Sequence, residues 1–157
     1  MSARHGVHVP HAPGCEFAHA RVIEAPRAQV FAAIADASRI ARWWGPEGFR
    51  NTIDTFEFRQ GGRWLFTMHG PDGTDYPNEN RFAEISAPGR VVIEHVSDTH
   101  HFHLVIGLEA RRTRTRVTWR QVFDDAAHAT AMAAVVRPAN EQNLTRLAAE
   151  VQRLRKA

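Results

Sequence analysis

Cysteine is almost missing from this chain. Cys15 is the single thiol in 157 residues, which excludes an internal disulfide and points to a reducing, cytoplasmic setting. Long apolar runs are missing as well: no stretch approaches the ~20 residues of a membrane span. The N-terminus lacks the apolar centre of a signal peptide, so neither membrane insertion nor export is expected. No nucleophile elbow, phosphate loop or dinucleotide fingerprint occurs, and Ser38, Ser86 and Ser97 stand outside any catalytic context. Cys15 has no histidine at a diagnostic spacing and reads as an inert thiol. Internal repeats, low-complexity tracts and linkers are also lacking. One domain over residues 16–157, preceded by a flexible tail over 1–15, is the expected organisation, and this length buries a core without disulfide or metal.

Charge of one sign is in slight excess, at a net +3. The arginines are scattered, and only Arg111-Arg112-x-Arg114-x-Arg116 forms a cluster. Alternation places Arg112, Arg114 and Arg116 on one strand face, read as solvated sheet surface. With no binding motif beside it, no nucleic-acid partner is expected. The tail carries His5, His8 and His11 without a packed second shell, so no metal site is assigned there.

What the chain does have is an aromatic-rich stretch, Trp43-Trp44-Gly45-Pro46-Glu47-Gly48-Phe49. Each indole carries roughly 150–250 Å² that favours burial and an N–H that needs a partner. A strand over Phe17–Glu24 comes first, then a helix opening at Pro26 and a second short helix over Arg39–Trp43. Strand patterns follow at Thr52–Phe58, Arg63–His69, Tyr76–Ser86, Arg90–Val96, His101–Glu109 and Thr113–Phe123. Gly61-Gly62, Gly70-Pro71-Asp72-Gly73 and Pro88-Gly89 separate some of them, as in an antiparallel meander. Residues 124–155 are helical in pattern, with Leu144, Leu147, Val151 and Leu154 on one face and Pro138 expected to kink the helix or mark its start. Asp124-Asp125 reads as the cap of this helix. Asp54 and Arg63, either side of the Gly-Gly turn, are expected to form a bracing ion pair.

The ordered combination of Trp43-Trp44-Gly45-Pro46, Asp54, Gly61-Gly62-Arg63-Trp64, Gly70-Pro71-Asp72-Gly73, Glu84-Ile85-x-x-Pro88 and Glu94-His95 resembles the domain at the C-terminus of the Hsp90 ATPase activator Aha1. Its stand-alone bacterial relatives in the START/Bet v 1-like (SRPBCC) superfamily are most similar. The resemblance spans roughly residues 16–155 and implies an α+β helix-grip fold. In that fold a curved antiparallel sheet wraps a long C-terminal helix, with a hydrophobic cavity between them. The last helix departs from many relatives: Pro138-Ala-Asn140-Glu141-Gln142-Asn143 stands where they carry a Gly-Trp pair.

Alternation then selects a cavity lining. The strands offer Trp64, Phe66, Met68, Phe82, His95, Phe102, Leu104, Trp119 and Gln121, with Ile106, Val117 and Phe123 on the same face. The helical segments and the loop add Trp43, Trp44, Phe49, Met132, Val136, Asn140 and Leu144. Adjacent helical side chains diverge by ~100°, so one of Trp43 and Trp44 is expected to pack inward while the other covers the rim.

These residues point to binding of a small hydrophobic or amphipathic ligand, oriented by His95, Gln121 or Asn140, without a cofactor. An Hsp90 co-chaperone-like interaction is the second reading. A cavity enzyme of hydrolase or cyclase type is the third, and it would need a polar pair such as His95 with Glu84 or Tyr76. No catalytic residue is assigned. His101 and His103 share a face as a zinc pair would, yet no third ligand stands at a familiar spacing, and no metal is assigned. A homodimer through exposed sheet or helix surface is compatible with the chain, which does not demand one.

Overall fold

The computed structural model describes residues 6–156. Seven strands form one antiparallel sheet: β1 (Glu16–Ile23), β2 (Arg50–Phe56), β3 (Arg63–His69), β4 (Asp75–Ser86), β5 (Arg90–His95), β6 (Phe102–Arg111) and β7 (Arg114–Phe123). Their spatial order is β1-β7-β6-β5-β4-β3-β2. Strands β2 to β7 are the expected meander, while β1 pairs with β7, with Phe17 opposite Gln121. Helices α1 (Arg27–Ile34) and α2 (Ala37–Trp43) carry the chain from one edge strand to the other. Asp36 accepts from the Arg39 N–H and caps α2.

The sheet's inner face is covered by α3 (Ala126–Arg155), with the helix pair closing one end. Trp43, Trp64, Phe82, Leu104, Ile106 and Leu144 are fully buried in this core. Burial of each such side chain contributes about 1.5–3 kcal/mol. Helix α3 runs unbroken through Pro138. The first helical arm expected before the proline and the pattern after it are therefore one element, held by packing along its length. Asp125 caps it, accepting from the Ala127 N–H at 3.2 Å.

Several local expectations are corrected. Asp54 sits at a bulge, since the β2–β3 register shifts between Ile53 and Thr55. Arg63 consequently faces Glu79 across β3–β4 at 3.6 Å instead of Asp54. Arg112 lies in the β6–β7 turn at φ 59° and does not share a strand face with Arg114 and Arg116. The described part of the expected tail is packed on the outer sheet face. Val9 is buried with Val92, Val105 and Val122. The Val7 N–H donates to Glu84, Arg90 donates to the Val7 carbonyl, and Arg120 donates to the Val9 carbonyl. His11 lies 3.1 Å from Glu16, whereas His5 falls outside the described residues.

Candidate functional site

Between the inner sheet face and the first half of α3 lies a recess of about 220 Å³. Its aromatic and apolar wall comes from Trp44, Phe66, Met68, Phe102, Leu104, Trp119, Met132 and Val136. His95 and Gln121, selected by alternation, and Asn140, selected from the last helix, supply part of its polar wall. Trp43, Phe49, Trp64 and Phe82 do not line it. The cause is position along the sheet. Trp64 and Phe82 lie toward the end closed by the helix pair, where Trp64 stacks on Phe66 at 4.4 Å and Phe82 meets Phe56 and Phe58 edge-on. Trp43 is sealed behind the wall with its N–H on the Ala33 carbonyl at 2.9 Å. Phe49 stacks on the exposed Tyr76 at 6.0 Å.

The tryptophan pair divides less sharply than expected: both rings belong to one buried core cluster, and Trp44 is the extended residue that ends α2. Trp43 is wholly enclosed, and Trp44, at 7% exposure, is a wall of the recess instead of an open rim. Trp44 packs against Trp64 at 4.8 Å and Trp119 at 5.9 Å. The loop behind it is clamped by α3. Arg146 donates to the carbonyls of Arg42, Trp44, Gly45, Pro46 and Phe49. Asn143 donates to the Trp43 carbonyl and accepts from the Gly45 N–H, and Gln142 accepts from the Glu47 N–H. Gly45 has φ 95°, and a Cβ there would meet Met68 Cε at 2.6 Å. A side chain at that position would strain the backbone and push the Met68 methyl aside.

Sequence reasoning missed Asn78, Asn80, His100, Ala139 and Asn143, which also line the recess together with Gly45, Pro46 and Val135. Asn78 and Asn80 alternate with Phe82 on β4, so the period that selected Phe82 could have found them. Asn80 is 2% exposed and accepts from His95 Nδ1 at 2.9 Å. Because that amide oxygen only accepts, Nδ1 carries the proton and Nε2 keeps a lone pair. Burial, followed by the neighbouring His100 and His101, lowers the His95 pKa from 6.5 to about 4, so the imidazole is neutral. His95 stacks on Phe102 at 4.8 Å. His100 and His128 approach to 2.6 Å between ring nitrogens, and burial lowers His100 as well.

On the helix side, Asn140 accepts from the Trp119 N–H at 3.2 Å and donates to Gln121 at 3.0 Å. The Gln121 side-chain nitrogen and His95 Nε2 take no partner among the described residues. Among the described residues, no acid, lysine or arginine lines the recess. His95 and Glu84 lie on opposite sheet faces, because Glu84 is engaged outside by Val7, Ser86 and Arg90. The polar pair that a cavity enzyme was expected to draw from them is not assembled, and Tyr76, 46% exposed, stacks away on Phe49.

A curved antiparallel sheet gripping one long C-terminal helix, with two short helices after the first strand, defines the helix-grip class of the START/Bet v 1 superfamily. The family model for "Activator of Hsp90 ATPase homolog 1-like protein" matches residues 24–152, and the chain belongs to that family. No curated protein matches. Among solved structures, a protein of Arthrobacter aurescens superposes with a TM-score of 0.83 at 25% identity, covering 89% of this chain and 87% of its own. A Nitrosomonas europaea protein also gives 0.83, at 16% identity and 92% and 99% coverage. The AHSA1 protein of Silicibacter pomeroyi gives 0.69 at 19% identity, with 87% and 97% coverage. No helix among the described residues is long and apolar enough to cross a membrane.

Proposed function

We propose that this protein binds a small, uncharged, amphipathic molecule in the recess between the sheet and α3. The observation that carries this reading is the makeup of the wall: aromatic and aliphatic surface interrupted by Asn80–His95 and Gln121–Asn140, with no formal charge. A buried charge without a partner is strongly disfavoured, so a neutral ligand suits such a wall. A hydroxyl or amide N–H would donate to His95 Nε2, and a carbonyl or hydroxyl oxygen would accept from the Gln121 amide. About 220 Å³ is somewhat more than the ~150 Å³ of an engineered cavity that takes benzene, which suggests one ring or a short branched chain.

Trp44 and Trp119 make the binding readable by indole fluorescence. Titration with single-ring alcohols, phenols and amides should shift the emission saturably, and the matching carboxylates and amines should not. Equal response to charged and neutral analogues would contradict the reading, as would no response across the series. Asn140→Leu strands the Trp119 N–H and the Gln121 oxygen, each costing about 1–3 kcal/mol. It should weaken binding and lower stability together. An Hsp90 co-chaperone-like role, which the family's description raises, is the second reading. ATPase turnover of the cognate Hsp90 with and without the protein tests it.

A further inference from the structure

The outer face of the sheet carries a second cluster, none of whose residues lines the recess. Strand pairing sets Glu94 opposite His103 and His103 opposite Val122. Alternation brings His101 and Asp124, each two residues along from these positions, to the same corner. His101 therefore sits between two carboxylates. Its Nε2 is 2.8 Å from Glu94 Oε2 and its Nδ1 is 2.7 Å from Asp124 Oδ2. The two contacts differ in kind. The Glu94 contact is a hydrogen bond, whereas Nδ1 is buried and has no hydrogen bond within acceptable geometry. His103 completes the group, with its ring 5.3 Å from that of His101. One ligand atom from each of His101, His103 and Asp124 lies within 4.8 Å of the others.

We propose that His101, His103 and Asp124 bind a divalent first-row transition ion, zinc as the first example, with Glu94 orienting His101 through Nε2. Bonds of ~2.0–2.2 Å hold tetrahedral or octahedral ligand atoms roughly 3–4 Å apart, so small side-chain rotations close this set around an ion. Two imidazoles with one carboxylate suit zinc, nickel or copper better than magnesium or calcium, which take oxygen donors. Glu94 fixes the tautomer. By accepting from Nε2 it leaves the Nδ1 lone pair for the metal, the usual carboxylate–histidine–metal arrangement. Asp124 is 64% exposed, which leaves room for water in the remaining coordination positions. The ion would tie the start of β6 to the β7–α3 junction, one residue before the Asp125 cap.

The test is calorimetric titration of untagged, chelator-stripped full-length protein with zinc chloride, alongside thermal melts. One zinc per chain and a raised melting temperature are expected. His103→Gln and Asp124→Asn should each weaken binding tenfold or more, and Glu94→Gln by about tenfold. A His8→Asn/His11→Asn double variant, His128→Asn and Cys15→Ser should bind as the unaltered chain does. X-ray absorption of the unaltered, zinc-loaded protein should show two imidazoles and oxygen donors, a readout that holds even if a variant fails to fold. Absence of binding overturns the proposal. So does binding indifferent to His103→Gln and Asp124→Asn, binding lost in the tail variant, or a sulfur ligand in the absorption spectrum.

Discussion

Arg146 shows how one side chain can set the position of a loop. Its guanidinium serves five main-chain carbonyls between Arg42 and Phe49, groups that the sharp turn at Gly45-Pro46 leaves outside any ladder. Arg146→Met keeps the apolar stem and removes every donor. It should cost roughly 2–4 kcal/mol, measured by denaturant unfolding, with a red shift of indole emission as Trp44 loosens. His95 gives a second prediction. Its pKa in the folded protein is about 4 against an ordinary 6.5, so the unfolded chain binds that proton more readily. The stability it contributes is present above about pH 6.5 and is lost as pH falls toward 4, at about 1.4 kcal/mol per pH unit across the window. His100 and His103, lowered chiefly by burial, act in the same direction, and His101, raised by its acids, acts oppositely. Unfolding free energies measured from pH 7 to 4 should therefore decline, and His95→Gln should flatten the slope. An unchanged slope in that variant would assign the acid sensitivity elsewhere.

At the scale of elements, α3 does three things along its length. Its N-terminal half roofs the recess through Met132, Val136 and Asn140, its middle clamps the Trp-Trp loop, and its C-terminal half fills the core with Leu144, Leu147 and Val151. Asp125→Ala removes the acceptor for the Ala127 N–H and should cost about 1 kcal/mol, read as a lower midpoint in thermal or urea unfolding. The strands and their order as a meander were legible because alternation and Gly/Pro turns are local signals. The pairing of β1 with β7 was not, nor was the seating of Val7 and Val9 on the outer face, since neither leaves a mark on neighbouring residues. Alternation likewise told which face Trp64 and Phe82 present, but not that they lie at the filled end of the sheet. Arg146 escaped for the same reason: its partners are about a hundred residues away, and an arginine on an amphipathic helix ordinarily reads as solvated surface. The polar segment Asn140-Glu141-Gln142-Asn143 was noticed as a departure, and its amides prove to be the link between helix, loop and recess.

For the molecule as a whole, the core and the recess divide one continuous inner face. Aromatic packing fills it where Phe56, Phe58, Trp64 and Phe82 interlock, and leaves space where Phe66, Met68 and Phe102 line the recess beneath the first half of α3. The outer face carries the N-terminal strap and the His101 corner, and His101 is near enough to His95 in the recess wall to contribute to its lowered pKa. The central claim is that the space on the inner face is a binding site for a neutral amphipathic molecule. Its most direct measurement is calorimetric titration of the best fluorescence hit into the unaltered chain and into Ala139→Phe, which projects a ring into the recess mouth. The account predicts saturable one-to-one binding to the unaltered chain and at least a tenfold loss in a variant that melts at a similar temperature. Equal affinity in both proteins would contradict it.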